Sequence, residues 1–248
     1  MFLKKHHGCG LKRGGFMRVH QFRYNSDNFA YLLEAGGEAL AIDGGAVDAI
    51  LQKVADGGLH LAGVTATHGH PDHVQGNKTL AGRSGAPLLD HGELAAKGGL
   101  SLGGIFIRVF ATPGHTLDSV CFFAEGCLIA GDTLFNGTVG NCFSGDLDAF
   151  FNSVGEILAL PPATRVYAGH DYVREAVAFA RSIEPENPFL DSFLSGMDPE
   201  HVYSLLEDEM RVNPYLRYND PVMTKLLIRR GLAADTARAR WHSIMELY

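Results

Sequence analysis

The chain has 248 residues, 21 basic and 28 acidic, for a formal charge of −7, with 46% apolar and 20% charged residues. A composition like this buries a sizeable core without staples and excludes extended disorder. It has no Lys/Arg-rich run to mark a nucleic-acid or anionic-membrane partner and no apolar run of about eighteen residues for a span, and no apolar leader follows Met1. The expected compartment is the cytoplasm. Four cysteines (Cys9, Cys121, Cys127, Cys142) without a CxxC pair read as reduced thiols rather than a disulfide framework or a cysteine zinc site.

Residues 1–16 are basic and Gly-rich and read as a flexible arm. A domain over 17–184 begins with short aromatic and aliphatic runs at 19–24, 28–34 and 38–43, separated by Asn25-Ser26-Asp27 and Gly36-Gly37, which predicts an antiparallel meander. Helical spacing over 46–55 ends at Gly57-Gly58, and an apolar run over 61–67 stops at His68. Strand-like runs recur at 105–110, 119–123 and 127–130. A helix over 147–160, a strand over 165–168 and an amphipathic helix over 172–183 follow. Two halves of meander, helix and strand predict an α+β fold, two sheets face to face with helices outside. From 185 strand signals vanish, and helices at 199–210, 221–230 and 233–247 predict a small helical C-terminal domain over 185–248.

Thr67-His68-Gly69-His70-Pro71-Asp72-His73 packs three imidazoles and a carboxylate behind a predicted strand. Such a match arises by chance on the order of once in 10³ chains of this composition. Residues two apart on an extended stretch point the same way, so His68 and His70 can converge on one cation. Pro71 breaks that path and offers Asp72 and His73 to a neighbouring point, which suits a second cation with mixed oxygen and nitrogen ligands. His115, Asp132 and His170 each follow a predicted strand in a Gly-containing turn. Alone, each reads as a loop residue; together with the first segment they make five His and two Asp. That set fills two sites of about four ligands only if a carboxylate is shared, and Asp132 is the natural bridge. His20, His60, His91, His201 and His242 lack such company and read as surface or core residues, and His6 and His7 fall in the arm. No G-x-S-x-G, GxxxxGK[ST] or post-strand GxGxxG motif supports a serine hydrolase, P-loop or dinucleotide reading.

These residues resemble the metallo-β-lactamase fold superfamily, and within it glyoxalase II, the hydroxyacylglutathione hydrolases. The grounds are the segment Thr67 to His73, Ala111-Thr112-Pro113-Gly114-His115-Thr116, Gly131-Asp132-Thr133-Leu134-Phe135, Gly169-His170-Asp171-Tyr172, and a tail with Asn213-Pro214-Tyr215-Leu216-Arg217 and Asp220-Pro221-Val222. The resemblance implies an αββα sandwich with His68, His70 and His115 on one metal, Asp72, His73 and His170 on the other, and Asp132 bridging, with Asp72 and Asp132 the catalytic carboxylates. It implies two divalent cations, zinc first with iron or manganese admissible. The implied reaction is hydrolysis of S-lactoylglutathione to lactate and glutathione by a hydroxide bridging the cations. A leaving thiolate, whose parent thiol has a pKa near about 8.5, needs little protonation.

The same resemblance makes Tyr172, Arg229, Asn141 and Phe143 the candidate substrate contacts. Asn141 and Phe143 stand where the family has a Lys and a Tyr; Arg229 matches a family arginine in the C-terminal helix, and Leu232 stands where the family has a lysine three residues later. The alternatives are a mononuclear iron persulfide dioxygenase of the same fold and a thioesterase acting on another thiol carrier.

Overall fold

The computed structural model describes residues 16–247. His6, His7, Cys9 and all of the expected arm except Phe16 lie outside that range.

In chain order, β1 (Arg18–Tyr24), β2 (Asn28–Ala35), β3 (Glu38–Ile42), α1 (Val47–Gly57) and β4 (His60–Thr65) form the first half. Its sheet runs β1-β2-β3-β4, antiparallel until the α1 crossover makes β3 and β4 parallel. Then come α2 (Pro71–Val74), α3 (Asn77–Ser84), α4 (His91–Ala96), β5 (Gly99–Leu102), β6 (Ile105–Ala111), β7 (Val120–Ala124), β8 (Cys127–Gly131) and the short hairpin of β9 (Leu134–Phe135) and β10 (Thr138–Val139). The remainder is α5 (Leu147–Leu158), β11 (Arg165–Ala168), α6 (Val173–Ile183), α7 (Leu190–Ser195), β12 (Ser204–Leu205), α8 (Leu206–Val212), α9 (Pro221–Arg229) and α10 (Ala237–Met245). The second sheet has the order β12-β11-β8-β7-β6-β5.

The layers follow from side-chain alternation along strands. On β2, Phe29, Tyr31 and Leu33 face the second sheet and pack with Val109, Phe122 and Ile129. Their neighbours Ala30 and Leu32 face outward, against Ile50 of α1 and Leu80 of α3. On the far side, Phe110, Cys121 and Leu128 cover Phe150, Val154 and Ile157 of α5, together with Met223, Leu227 and Trp241 of α9 and α10. This is the expected αββα sandwich. No described helix is long and apolar enough to cross a membrane.

The sequence pattern and the structure differ in several stretches, among them the β9–β10 hairpin, which no pattern announced. Between 71 and 104, where no element was anticipated, stand α2, α3, α4 and β5. The helix expected over 199–210 begins only at Leu206, because Ser204 and Leu205 are drawn out as β12 and pair with Val166 and Arg165 at the sheet edge. Local periodicity yields there to a tertiary pairing. The short α7 was also not anticipated.

Strand direction places the site. β6 and β8 are each antiparallel to β7, and β11 is parallel to β8, so the C-terminal ends of β6, β8 and β11 open on one edge. The first sheet joins that edge through Val120 N–H donating to the Thr67 carbonyl (2.8 Å) and Phe29 N–H donating to the Gly169 carbonyl (2.8 Å).

Candidate metal centre

At that edge the side chains gather into two groups. One donor atom from each of His68, His70, His115 and Asp132 lies within 4.8 Å of the others, and so do those of Asp72, His73 and His170. Asp132 stands between them: its Oδ2 is 3.4 Å from His115 Nε2 and 3.5 Å from His170 Nε2, and its Oδ1 is 3.4 Å from His73 Nε2. Pro71 opens α2, which carries Asp72 and His73 away from His70, as the sequence suggested. Two glycines make the approach possible. A Cβ on Gly169 would lie 2.1 Å from Asp132 Oδ1, and Gly131, at φ +52°, would thrust one to 2.5 Å from Thr67 Oγ1.

Outer hydrogen bonds fix which ring nitrogen faces inward. His170 Nδ1 donates to Asp27 Oδ1 (2.7 Å), His73 Nδ1 to Asp43 Oδ2 (3.0 Å), and His115 Nδ1 to the Asn141 carbonyl (2.9 Å). The Thr67 hydroxyl donates to Asp43 (2.8 Å), so its oxygen accepts from His68 Nδ1 (3.0 Å). Four Nε2 atoms are thereby turned on the centre as lone-pair donors. His73 Nε2 and His170 Nε2 are 3.1 Å apart, and His70 Nδ1 is 2.9 and 3.0 Å from His68 Nε2 and His115 Nε2. The His73 and His170 lone pairs, held that close with both Nδ1 protons engaged outward, repel unless positive charge lies between them. Asp132 Oδ1 is buried without a hydrogen-bond partner, an arrangement that costs free energy unless a cation is there. The residues present therefore fit divalent metal.

The titration behaviour agrees. Burial opposes a charge on His73, but Asp43 and Asp132 outweigh it and push the imidazolium up to about 11. His170 is also raised despite burial, by Asp132 and Asp27. Burial pulls His68 down to about 4 and lowers His115 as well. Burial works against ionising Asp132, yet the His170 and His73 imidazoles beside it hold it well below the carboxylate range. Without metal, the proton that His73 holds supplies positive charge that the carboxylates call for; a bound cation replaces it.

The sequence reading missed the outer partners. Asp43 is buried and also accepts from Thr67 N–H (2.7 Å). Asp43-Gly44-Gly45 ends a strand just as the Asp132 segment does, so the same signal was available. Asn28 Nδ2 donates to Asp72 Oδ2 (2.9 Å) and Tyr24 Oη to the Asp72 carbonyl (2.8 Å), contacts that no spacing announces.

The candidate substrate residues divide. Tyr172 stacks on His170, centroids 5.0 Å apart and planes 7° from parallel, and with Asn141 it lines a cavity of about 250 Å³ beside the cluster. Phe143 is 67% exposed and does not line that cavity, its ring 5.3 Å from His115 and 5.6 Å from His70. Arg229 lines a different cavity, with Arg217, Arg230 and Glu184. Leu232 packs on the core between α5 and the C-terminal helices.

The family model described as the metallo-beta-lactamase superfamily matches residues 23–101 and 96–170, and the one described as hydroxyacylglutathione hydrolase C-terminus matches residues 171–239. A hydroxyacylglutathione hydrolase of Anaeromyxobacter dehalogenans is 37% identical over 235 residues, covering 88% of this chain and 89% of that one. Among solved structures, ETHE1 from Myxococcus xanthus is 25% identical with a TM-score of 0.65, covering 93% of this chain and 90% of its own. TTHA1623 in a di-iron-bound form is 25% identical with a TM-score of 0.58, covering 80% of this chain and 100% of its own.

Proposed function

The chain belongs to the hydroxyacylglutathione hydrolase (glyoxalase II) family of the metallo-β-lactamase superfamily, a metal-dependent thioester hydrolase, and we propose how its own residues carry that reaction. His68, His70 and His115 hold one divalent cation, Asp72, His73 and His170 a second, and Asp132 is shared. Zinc is the leading metal, with iron or manganese admissible for the same donors; a relative solved in a di-iron-bound form supports a count of two. When bound, such cations lower the pKa of a water toward neutrality and polarise a carbonyl oxygen.

The protein's part is preorganisation. Asp27, Asp43, Thr67 and the Asn141 carbonyl hold the imidazoles in the tautomers that present Nε2 inward. Tyr172, on the face of His170, and Asn141, beside His115, orient the thioester from the adjoining cavity. Phe143 covers the His70 and His115 rings against water. The departing thiolate, from a thiol of pKa about 8.5, leaves with no side chain assigned to protonate it.

The observation that carries this reading is the convergence of seven ligand-type side chains in two groups around one carboxylate. The substrate is S-lactoylglutathione. Release of lactate and glutathione from it by metal-loaded protein is the test; background rates with it, while another thioester is cleaved, would refute the carrier and keep the mechanism. Two donor groups leave a mononuclear iron dioxygenase the weaker reading. One iron per chain with oxygen uptake on glutathione persulfide would reinstate it.

A further inference from the structure

The cavity beside the cluster differs in charge from what a doubly carboxylated carrier calls for. It touches the centre directly: Phe135 lies 5.9 Å from the His170 ring and 5.1 Å from Tyr172. A Cβ on Gly140, in its wall, would stand 2.0 Å from the Asp132 carbonyl. The apolar wall is Phe135, Val139, Phe179 and Met245, and the side chains able to hydrogen-bond from it include Thr138, Asn141 and Tyr172, all uncharged. Among the described residues that line it, Glu175 is the one charged side chain and none is Lys or Arg.

Met245 comes from the end of α10 and fixes the far wall. Trp241 of that helix is fully buried, edge-on to Phe150 of α5 at 5.4 Å, and Ser243 Oγ donates to the Ala233 carbonyl at 2.8 Å. Arg229, the cation the family resemblance offers for a carboxylate, lines the separate cavity behind α9. A carboxylate moved into an apolar recess with no Lys or Arg among its described lining residues loses hydration and gains no side-chain ion pair in return. Glu175 would add repulsion. An amide chain or an ammonium meets neither obstacle.

We propose that this cavity selects the thiol half of the substrate as an uncharged, amide-bearing chain, with any ammonium met by Glu175, so that the terminal carboxylates of a glutathione thioester stay in solvent and add nothing to binding. The proposal rests on the thioester-hydrolase reading. It gives the enzyme a breadth of carrier, including short neutral amide thiols, that a cationic clamp would forbid.

Thioethers are not hydrolysed, so they report the cavity without turnover. Metal-loaded protein is titrated by calorimetry with S-methylglutathione and with its dimethyl ester. The ester is expected to bind at least as tightly as the free acid. Asn141→Lys is expected to tighten the free acid alone by about three- to fivefold, and Glu175→Gln to abolish any preference for the ester. A free acid bound about tenfold more tightly than the ester by the unaltered protein overturns the proposal, as does an Asn141→Lys variant that changes neither affinity. The same preparation is assayed on S-lactoylglutathione and S-lactoyl-N-acetylcysteamine. Values of kcat/KM within about threefold of each other are expected, and about a tenfold or greater preference for glutathione refutes carrier breadth. If neither thioester is cleaved, the hydrolase reading falls, while the titrations still decide the charge preference of the cavity.

Discussion

The cation cluster and the cavity that adjoins it share a wall and are built in opposite ways. The cluster draws its donors from four short segments, 68–73, 115, 132 and 170, all at strand ends of one sandwich edge and nearly all held by a hydrogen bond behind the donor. The cavity is gathered from the β9–β10 hairpin, the start of α6, Tyr215 and the last residue of α10, a span from 135 to 245. Strand ends repeat a geometry to within a fraction of an ångström, which metal ligation requires; helices packed on a periphery can be exchanged without disturbing it. Chemistry and specificity should therefore come apart under mutation.

The largest effect expected is at the shared carboxylate. Asp132→Ala removes the atom between the two donor groups, so elemental analysis should find metal near background and thioester hydrolysis should vanish with it. Retained activity would refute a shared carboxylate. Trp241→Ala tests the other side of the comparison. Its ring is fully buried against Phe150 and Phe151, and truncation of a large buried aromatic costs about 3–5 kcal/mol. A lower Tm and a raised KM are expected at unchanged metal content, because α10 builds the cavity and none of the ligands. Loss of metal together with α10 packing would show that the two regions are not separable.

The same contrast explains what could be read from the chain alone. Thr67 to His73 is contiguous, and alternation on an extended stretch followed by a proline gives the direction of each side chain, so the donors stand out. Asp132 and His170 were legible because each ends a strand at a glycine. Asp27 and Asn28 were not, since their roles depend on the β1–β2 turn reaching His170 past the end of β11, 143 positions away, and Asp72 on α2, 44 positions away. The cavity left no mark either. Met245 sits in a helix whose spacing announces only a core, and the helix expected over 199–210 gave way to β12 because an open sheet edge was there to pair with. Arg229 followed a motif faithfully in sequence, yet α9 turns it toward another cavity.

Glu209 offers a smaller, pH-dependent test of the helical periphery. It is fully buried and accepts from Gly137 N–H on both oxygens (3.0 and 2.9 Å), from Ser204 Oγ (2.6 Å) and from Asn213 Nδ2 (3.0 Å), which ties the cavity hairpin to α8. Burial pushes its pKa from 4.5 up to about 7, against the pull of those donors. A folded-state pKa above the unfolded one means that the native state binds the proton more readily. Stability from this group is therefore complete below about pH 4.5, falls as the pH rises to about 7 and is level beyond, a loss of at most about 3 kcal/mol. Urea unfolding of Glu209→Gln at saturating metal should show a flatter pH profile across that window than the unaltered protein. Parallel profiles would mean that Glu209 does not titrate there.

The smallest effect expected lies in the cluster's outer layer, and it divides the two donor groups from each other. The tip between β1 and β2 serves only the second group: Asp27 holds His170, Asn28 holds an oxygen of Asp72, and Tyr24 holds the backbone of Asp72. Asp27→Asn keeps the shape of that tip and replaces a charged acceptor behind His170 with a neutral one, which makes its Nε2 a poorer donor. Outer partners of this kind are worth about 10–100-fold in metal affinity. A stepwise metal titration should then show one cation bound as before and one weakened by that factor, while S-methylglutathione affinity at saturating metal stays unchanged because Asp27 does not line the cavity. Equal weakening of both steps would mean that the tip supports the cluster as a whole, and Asp132 would then be transmitting a disturbance from one donor group to the other.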